Sequence, residues 1–373
     1  MLDITTFIRG LYEEPEAFIP LHAPVFNGKE KEYLCNCIDT TFVSSVGEYV
    51  DRFEKMTRDY TGSTRAVAVA NGTCGLEMAL RLVNVKPGDL VLTQALTFVA
   101  TANAITHIGA SPVFLDSDPD TLGMSPDALR DFLANTDKKI AACVPVHILG
   151  HACRIREICD ICAEFDIPVV EDAAEALGST LDGQHLGTFG RVGVLSYNGN
   201  KTITTGGGGM ILTNDETLGA RAKHLTTTAK KPHRWEFRHT ETAWNYRMPN
   251  INAALGCAQM ERLDDILRDK RKIAHAYRDF FASKDDIDYI DEPKGCKSNY
   301  WLNTIVLKNR EERDAFLEYS NNSGVMTRPL WTLMPDLSMF ENATCGKLAN
   351  AKDIQNRAVN LPSGPRDPQK CKS

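Results

Sequence analysis

The 373 residues are 43% hydrophobic and 24% charged, a globular composition long enough for two domains. Lys and Arg total 42 against 49 Asp and Glu, a net charge of -7, so no global positive field recommends nucleic acid or an anionic membrane, and an anionic small ligand needs a local basic pocket. The N-terminus, MLDITTFIRGLYEEPEAF, mixes acids with apolar residues, unlike a secretion signal, and no uninterrupted apolar run approaches the ~20 residues of a membrane span; a soluble cytoplasmic protein is expected.

From residue 63 to 215 short apolar runs alternate with helical periodicity. The runs are Ala66 to Ala70, Leu90 to Thr93, Pro112 to Leu115, Ala141 to Val146, Pro168 to Glu171, Val192 to Tyr197 and Met210 to Thr213. Runs apolar throughout read as strands buried on both faces, and helical crossovers between them give an α/β fold with a mainly parallel sheet. After Asn71-Gly72-Thr73, the residues Leu76, Ala79, Leu80 and Val83 recur at helical spacing, and Ser125-Pro126 opens another helix with a capping serine. A large domain over 1–250 with an N-terminal arm follows. Helical periodicity from Ile251 to Phe281 predicts one long helix in a linking segment, 251–284. Residues 285–373 read as a smaller α+β domain, with a strand at Trp301 to Leu307 and a helix at Glu311 to Ser320.

Eleven cysteines raise the question of zinc, because His147, His151, Cys153, Cys159 and Cys162 lie close together. The segment EICDICAEF reads instead as an amphipathic helix with Ile158, Ile161 and Cys162 on one face, so the thiols are expected to be reduced and inert, with no metal site.

Candidate site residues gather just after strands, where α/β sheets collect ligands. Lys201 follows the run ending at Tyr197 and precedes Gly206 to Gly209, which lets the backbone double back before the next strand. A lysine so placed suits an amine nucleophile for an aldehyde. Thr73 and Cys74, opening a helix, and Ser196, at the end of the strand before Lys201, suit a phosphate; an ordinary helix cap is the plainer reading of the first pair. Phe98 can stack on a flat heterocycle or belong to the core. The acids at Glu171, Asp172 and Glu175 can pair with a protonated ring nitrogen, cap a helix or bind magnesium. A phosphate, a flat ring, a nitrogen needing a carboxylate and an aldehyde needing a lysine together describe pyridoxal phosphate.

The motifs NGTCGLEMAL, LTFVATANAI, VVEDAAEALGS, SYNGNK, TTGGGGM, NYRMPNINAALG and TRPLW, spread from about Pro20 to Pro365, resemble the DegT/DnrJ/EryC1/StrS sugar aminotransferases of the fold type I superfamily. The resemblance implies a mainly parallel, mixed seven-stranded sheet with helices on both faces, plus a smaller C-terminal α+β domain. It implies that Lys201 carries the cofactor and Asp172 pairs with its pyridine nitrogen. Phe98 would cover the ring, and Thr73, Cys74 and Ser196 would hold the phosphate, joined by Asn245 from a neighbouring subunit of a homodimer with shared sites. Glu175 departs from the glutamine or histidine common at that position near the phenolic oxygen. L-Glutamate is the implied amino donor. VSSVGEYVDRFE and KHLTTTAK resemble the branch acting on UDP-linked 4-keto-6-deoxy N-acetylhexosamines; another nucleotide-linked (dTDP or GDP) 3- or 4-keto-6-deoxy sugar and a non-catalytic regulator are the alternatives. Val46, Gly47, Lys230, Lys231, Arg234, Arg247 and Arg328 are the expected nucleotide-sugar contacts. A related dehydratase would carry histidine at position 201, and the glycine run lacks the spacing of a phosphate-binding P-loop.

Overall fold

The computed structural model describes residues 1–367. The seven apolar runs are strands β1 (Arg65–Val69), β2 (Leu90–Gln94), β3 (Ser111–Leu115), β4 (Ile140–Val144), β5 (Val170–Asp172), β6 (Val192–Ser196) and β7 (Gly209–Thr213). Successive side chains of a strand point to opposite faces. Val67, Val69, Val192, Val194 and Ile211 therefore meet one buried cluster, whereas Ala66, Ala68, Leu195, Met210 and Leu212 meet another; Leu92, Val113 and Cys143 meet a third. Both faces are dry, which is why the runs carry no polar alternation.

The strands form one sheet in the order β1-β7-β6-β5-β4-β2-β3: two ladders are joined by parallel bridges from Cys143 to Val169 and from Val146 to Asp172. Only β7 runs against its neighbours, while the remaining pairs are parallel. Thr344–Cys345 adds a short parallel strand beyond β3. The expected mixed, mainly parallel sheet is thus present, and the antiparallel β7 turns the β6–β7 connection into a hairpin loop, the loop that carries Lys201.

Helices are α1 (Leu2–Tyr12), α2 (Glu30–Asp39), α3 (Glu48–Thr61), α4 (Gly72–Leu82), α5 (Val99–His107), α6 (Pro126–Asn135), α7 (Ile155–Glu164), α8 (Glu216–Thr226), α9 (Asn250–Met260), α10 (Leu263–Phe281), α11 (Arg310–Asn322) and α12 (Ala349–Arg357). Residues of α4, α5 and α8 share the cluster on one face of the sheet; α3 and α9 cover the other face at the β1–β7–β6 end, and α6 and α7 cover it around β2–β3–β4. The Ser125 hydroxyl caps α6 by accepting from Ala128 N–H at 3.2 Å. In α7, Ile155, Ile158, Ile161 and Cys162 are buried, the packing expected of a thiol acting as a small hydrophobe.

Two expectations about organisation change. The stretch 251–281 is two helices, broken at Glu261 and Arg262, and not one. The Glu261 carboxylate accepts from Tyr33 Oη at 2.6 Å and from Arg52, so the chain is tied back to α2 and α3 before α10 leaves in its own direction. The N-terminal segment belongs with the C-terminal unit, and not with the large one: Ile4, Ile8 and Ile19 pack against Ile273, Tyr277, Ile305 and Phe316, and Ile19 bonds Gly324 and Met326 through its backbone. The smaller unit itself is an antiparallel sheet of β8 (Asp288–Ile290), β9 (Asn303–Val306), β10 (Arg328–Pro329) and β11 (Ala358–Leu361) in the order β8-β9-β11-β10, with α11 and α12. The last six residues of the expected 285–373 domain lie outside the described residues.

Candidate active site

Lys201 sits in the loop between β6 and β7. Tyr197 closes that loop at its base, its N–H donating to Gly208 O at 2.9 Å and its carbonyl accepting from Thr205 N–H at 3.0 Å. The glycines permit a close crossing: a Cβ on Gly209 would lie 2.7 Å from the carbonyl of Asn71 and 2.8 Å from Gly72 N. A Cβ on Gly72 would in turn lie 3.1 Å from Ser196 Cβ. The start of α4 is therefore pressed against the end of β6, with Gly72, the residue before Thr73, at Ser196. Asn71 caps this helix by accepting from Cys74 N–H at 2.8 Å, so the Cys74 amide is engaged within the chain, while the first helical turn retains its positive end for an anion.

The Lys201 side chain is only 13% exposed; its Nζ lies 3.5 Å from Glu175 Oε1 and 3.9 Å from the centroid of the Trp301 ring. Burial pushes the Glu175 carboxyl up to about 7, against the lowering pull of Lys201 and of the Leu149 N–H, which donates to Oε2 at 2.7 Å. Asp172 is buried as well, and burial raises its carboxyl above the ordinary range despite a 2.7 Å bond from Thr101 Oγ1 and a 3.1 Å bond from Ala174 N–H.

The neighbouring acid has another task. Glu171 points to the opposite face of β5, where its carboxylate accepts from Gly187, Phe189 and Gly190 N–H at 2.6–2.8 Å and from His147 Nε2 at 2.8 Å. His147 Nδ1 accepts from Cys153 N–H at 3.3 Å, so both ring nitrogens serve the fold.

Trp301 and its neighbours, which sequence reasoning passed over, bind the smaller unit to this loop. The Trp301 indole N–H donates to Asn200 O at 2.7 Å, and Asn299 Nδ2 donates to Glu175 O, Leu177 O and Thr202 Oγ1 at 2.7–3.1 Å. The buried Lys270 amine holds Trp301 from behind, donating to Trp301 O at 3.2 Å, Ser363 O at 2.6 Å and His22 Nε2 at 3.0 Å. Phe98, half exposed, stands at the start of α5 with its ring 6.3 Å from Trp331.

The expected nucleotide-sugar residues divide. Val46, Gly47, Lys230, Lys231 and Arg247 line one cleft of about 430 Å³ together with Lys223 and His233. Asn250 shapes it by donating to Phe42 O and accepting from Tyr49 N–H; a Cβ on Gly47 would strike the Asn250 amide. Asn245 borders the cleft, its Oδ1 accepting from Arg247 Nε at 2.8 Å. Lys201, Asp172 and Glu175 are not among the residues lining this cleft. Arg234 is exposed and lies over the Trp235 ring instead. Arg328 is exposed and its guanidinium donates to Asn321 Oδ1 and Thr327 O within the smaller unit, while Trp331, three residues on in TRPLW, meets Phe98.

Pyridoxal phosphate fits these donors. Lys201 offers an amine, Asp172 a buried carboxylate needing a cationic partner, and the α4 start with Thr73 and Ser196 an anion site whose backbone is brought close by glycines. The sequence profile of the DegT/DnrJ/EryC1/StrS aminotransferase family matches residues 25–368. A GDP-perosamine synthase of Escherichia coli O157:H7 is 37% identical over 348 residues, 93% of this chain and 94% of that one. A GDP-perosamine synthase of Vibrio cholerae is 37% identical over 355 residues, covering 93% and 94%. The crystal structure of the aminotransferase TlmJ from Streptoalloteichus hindustanus superposes with a TM-score of 0.87 at 28% identity, covering 93% of this chain and 94% of that one. The chain belongs to the DegT/DnrJ/EryC1/StrS aminotransferase family, and it is a pyridoxal-phosphate-dependent aminotransferase.

Proposed function

We propose that this aminotransferase transfers the amino group of L-glutamate to the ketone of a GDP-linked 4-keto-6-deoxyhexose, in the cytoplasm, for surface-glycan biosynthesis. The observation that carries the reading is the buried Lys201–Glu175–Asp172 group in a chain that matches GDP-perosamine synthases along nearly its whole length. Those relatives favour a GDP-linked sugar over the UDP-linked N-acetylhexosamine that the local motifs suggest.

Bound pyridoxal phosphate supplies an aldehyde that exchanges amino groups and a ring that takes up the electrons of a deprotonated carbon. Lys201 Nζ is the amine that would hold that aldehyde, and it is the group placed to move a proton at the reacting carbon. Asp172 keeps a proton on the ring nitrogen through a charge-assisted hydrogen bond. Glu175 Oε1, raised to about 7, is the proton-holding neighbour of Lys201 Nζ near neutral pH. Thr73 and Ser196 would hold the phosphate, and Phe98 would cover the ring. Lys230, Lys231 and Arg247 bind the diphosphate, with Val46 and Gly47 beside the sugar.

The basic cleft meets Lys201 across a homodimer, with Asn245 reaching the partner's phosphate. Exposed Phe42, Val43, Val46, Trp235 and Phe237, around or next to the cleft residues, support such an interface, since exposed apolar groups gathered in one region mark contact surfaces.

A panel of GDP-, UDP- and dTDP-linked 3- and 4-keto-6-deoxy sugars, incubated with holoenzyme and L-glutamate and read by mass and NMR, tests the reading. Preferred conversion of the GDP-linked 4-ketone supports it; preference for a UDP-linked N-acetylhexosamine, or turnover of none, defeats it.

A further inference from the structure

The chain contains four tryptophans, and two of them, Trp301 and Trp331, stack beside Lys201 with ring centroids 6.5 Å apart and planes 9° apart. Trp301 is 4% exposed and receives the Lys201 amine over its ring. Its placement is over-determined: Tyr300, just before it, adopts a left-handed φ of 46° and is held there by a 2.6 Å bond from its hydroxyl to Asp291, an unfavourable conformation for a bulky residue that surrounding contacts must sustain. Trp331 is only partly buried, and its other neighbour is the half-exposed Phe98 ring. The result is a continuous aromatic wall from Phe98 through Trp331 to the amine of Lys201. Trp301 belongs to the buried cluster with Leu330, Leu333 and Met334, and Trp331 packs against that cluster while staying partly exposed.

We propose that Trp331, backed by Trp301, is the surface on which the apolar C–H face of the substrate hexose lies, and that it sets the preference for a 6-deoxy ring. A pyranose carries one face of C–H bonds that an electron-rich indole accepts, and its ketone carbon must reach the Lys201 amine, to which the wall leads. A C6 methyl lies on such a wall without loss, whereas a C6 hydroxyl there gives up its hydration. The inference rests on the proposed function.

The test uses holoenzyme and separates the two half reactions, with Trp331→Leu keeping apolar volume but no flat face and Trp331→Phe keeping a flat face. In Trp331→Leu, KM for the GDP-linked keto sugar rises by about tenfold or more, and the preference for the 6-deoxy over the 6-hydroxy sugar falls by a similar factor, while the L-glutamate half reaction, followed by cofactor absorbance, changes less than about twofold. Trp331→Phe recovers most of both effects. Equal losses in the two half reactions, equal behaviour of the two variants, or no change in either overturn the inference. If wild-type enzyme aminates none of the nucleotide-linked keto sugars, the proposed function itself has failed and the inference falls with it.

Discussion

Replacing Glu175 with glutamine gives a pH signature whose size follows from the site. The carboxyl is almost fully buried and raised from its ordinary 4.5 to about 7, chiefly by burial. A raised acid stabilises the fold fully below its unfolded value and loses that contribution as pH climbs through the folded value, a total of about 3 kcal/mol here. In cofactor-free wild-type protein this share of stability is therefore lost between pH 4.5 and about 7.5. Glutamine keeps an acceptor for the Leu149 N–H but does not titrate, so the Glu175→Gln curve lacks that loss. Asp172, also raised and electrostatically linked to Glu175, titrates in both proteins. Urea unfolding of both proteins at half-unit pH steps measures it: wild type minus variant should fall by about 3 kcal/mol across the window. Parallel curves would refute the assignment of Glu175 as a buried, proton-holding acid.

Other perturbations separate packing from chemistry. Glu171→Ala orphans three backbone N–H groups and His147 at once and should cost about 3–5 kcal/mol in chemical denaturation; a loss under about 1 kcal/mol is inconsistent with four buried donors on one carboxylate. Gly209→Ala places a methyl within 2.8 Å of the Asn71–Gly72 backbone and should cost about 1–3 kcal/mol with weaker binding of pyridoxal phosphate, measured by fluorescence titration; unchanged affinity would show that the crossing does not shape the phosphate site. Burial lowers Lys270 from 10.5 to about 7, so between those values the unfolded chain binds more protons and stability rises with pH, by up to about 1.4 kcal/mol per pH unit. Lys270→Met should flatten that rise in urea unfolding between pH 7.5 and 9.5, and an unaltered slope would contradict it.

Seven strands of the main sheet were legible because burial on both faces left their runs mostly apolar, whereas the two-residue strand Thr344–Cys345 is too short and polar to show. The hairpin at Lys201 was legible because four glycines interrupt two such runs. Period-two alternation would also have told Glu171 from Asp172, since adjacent strand residues face opposite sides. What stayed hidden depends on contacts between distant segments. Glu261 and Arg262 are good helix formers, so nothing local marks the break, and the Glu261 carboxylate there is bound to the distant Tyr33 and Arg52. Nothing local indicates that Ile4 and Ile8 will join Ile305 and Phe316. Arg328 attracted notice by its charge, whereas the aromatics Trp301 and Trp331 drew no role of their own; the stack that sets them together is a meeting of two segments thirty residues apart in the chain.

The central claim is that Lys201 carries the cofactor. Borohydride reduction of the holoenzyme followed by peptide mapping addresses it directly: a phosphopyridoxyl group should appear on Lys201, in the peptide containing SYNGNK, and disappear in Lys201→Ala. Stoichiometric label on Lys270, Lys230 or any other lysine, or no covalent label on a protein that binds the cofactor, would contradict the account.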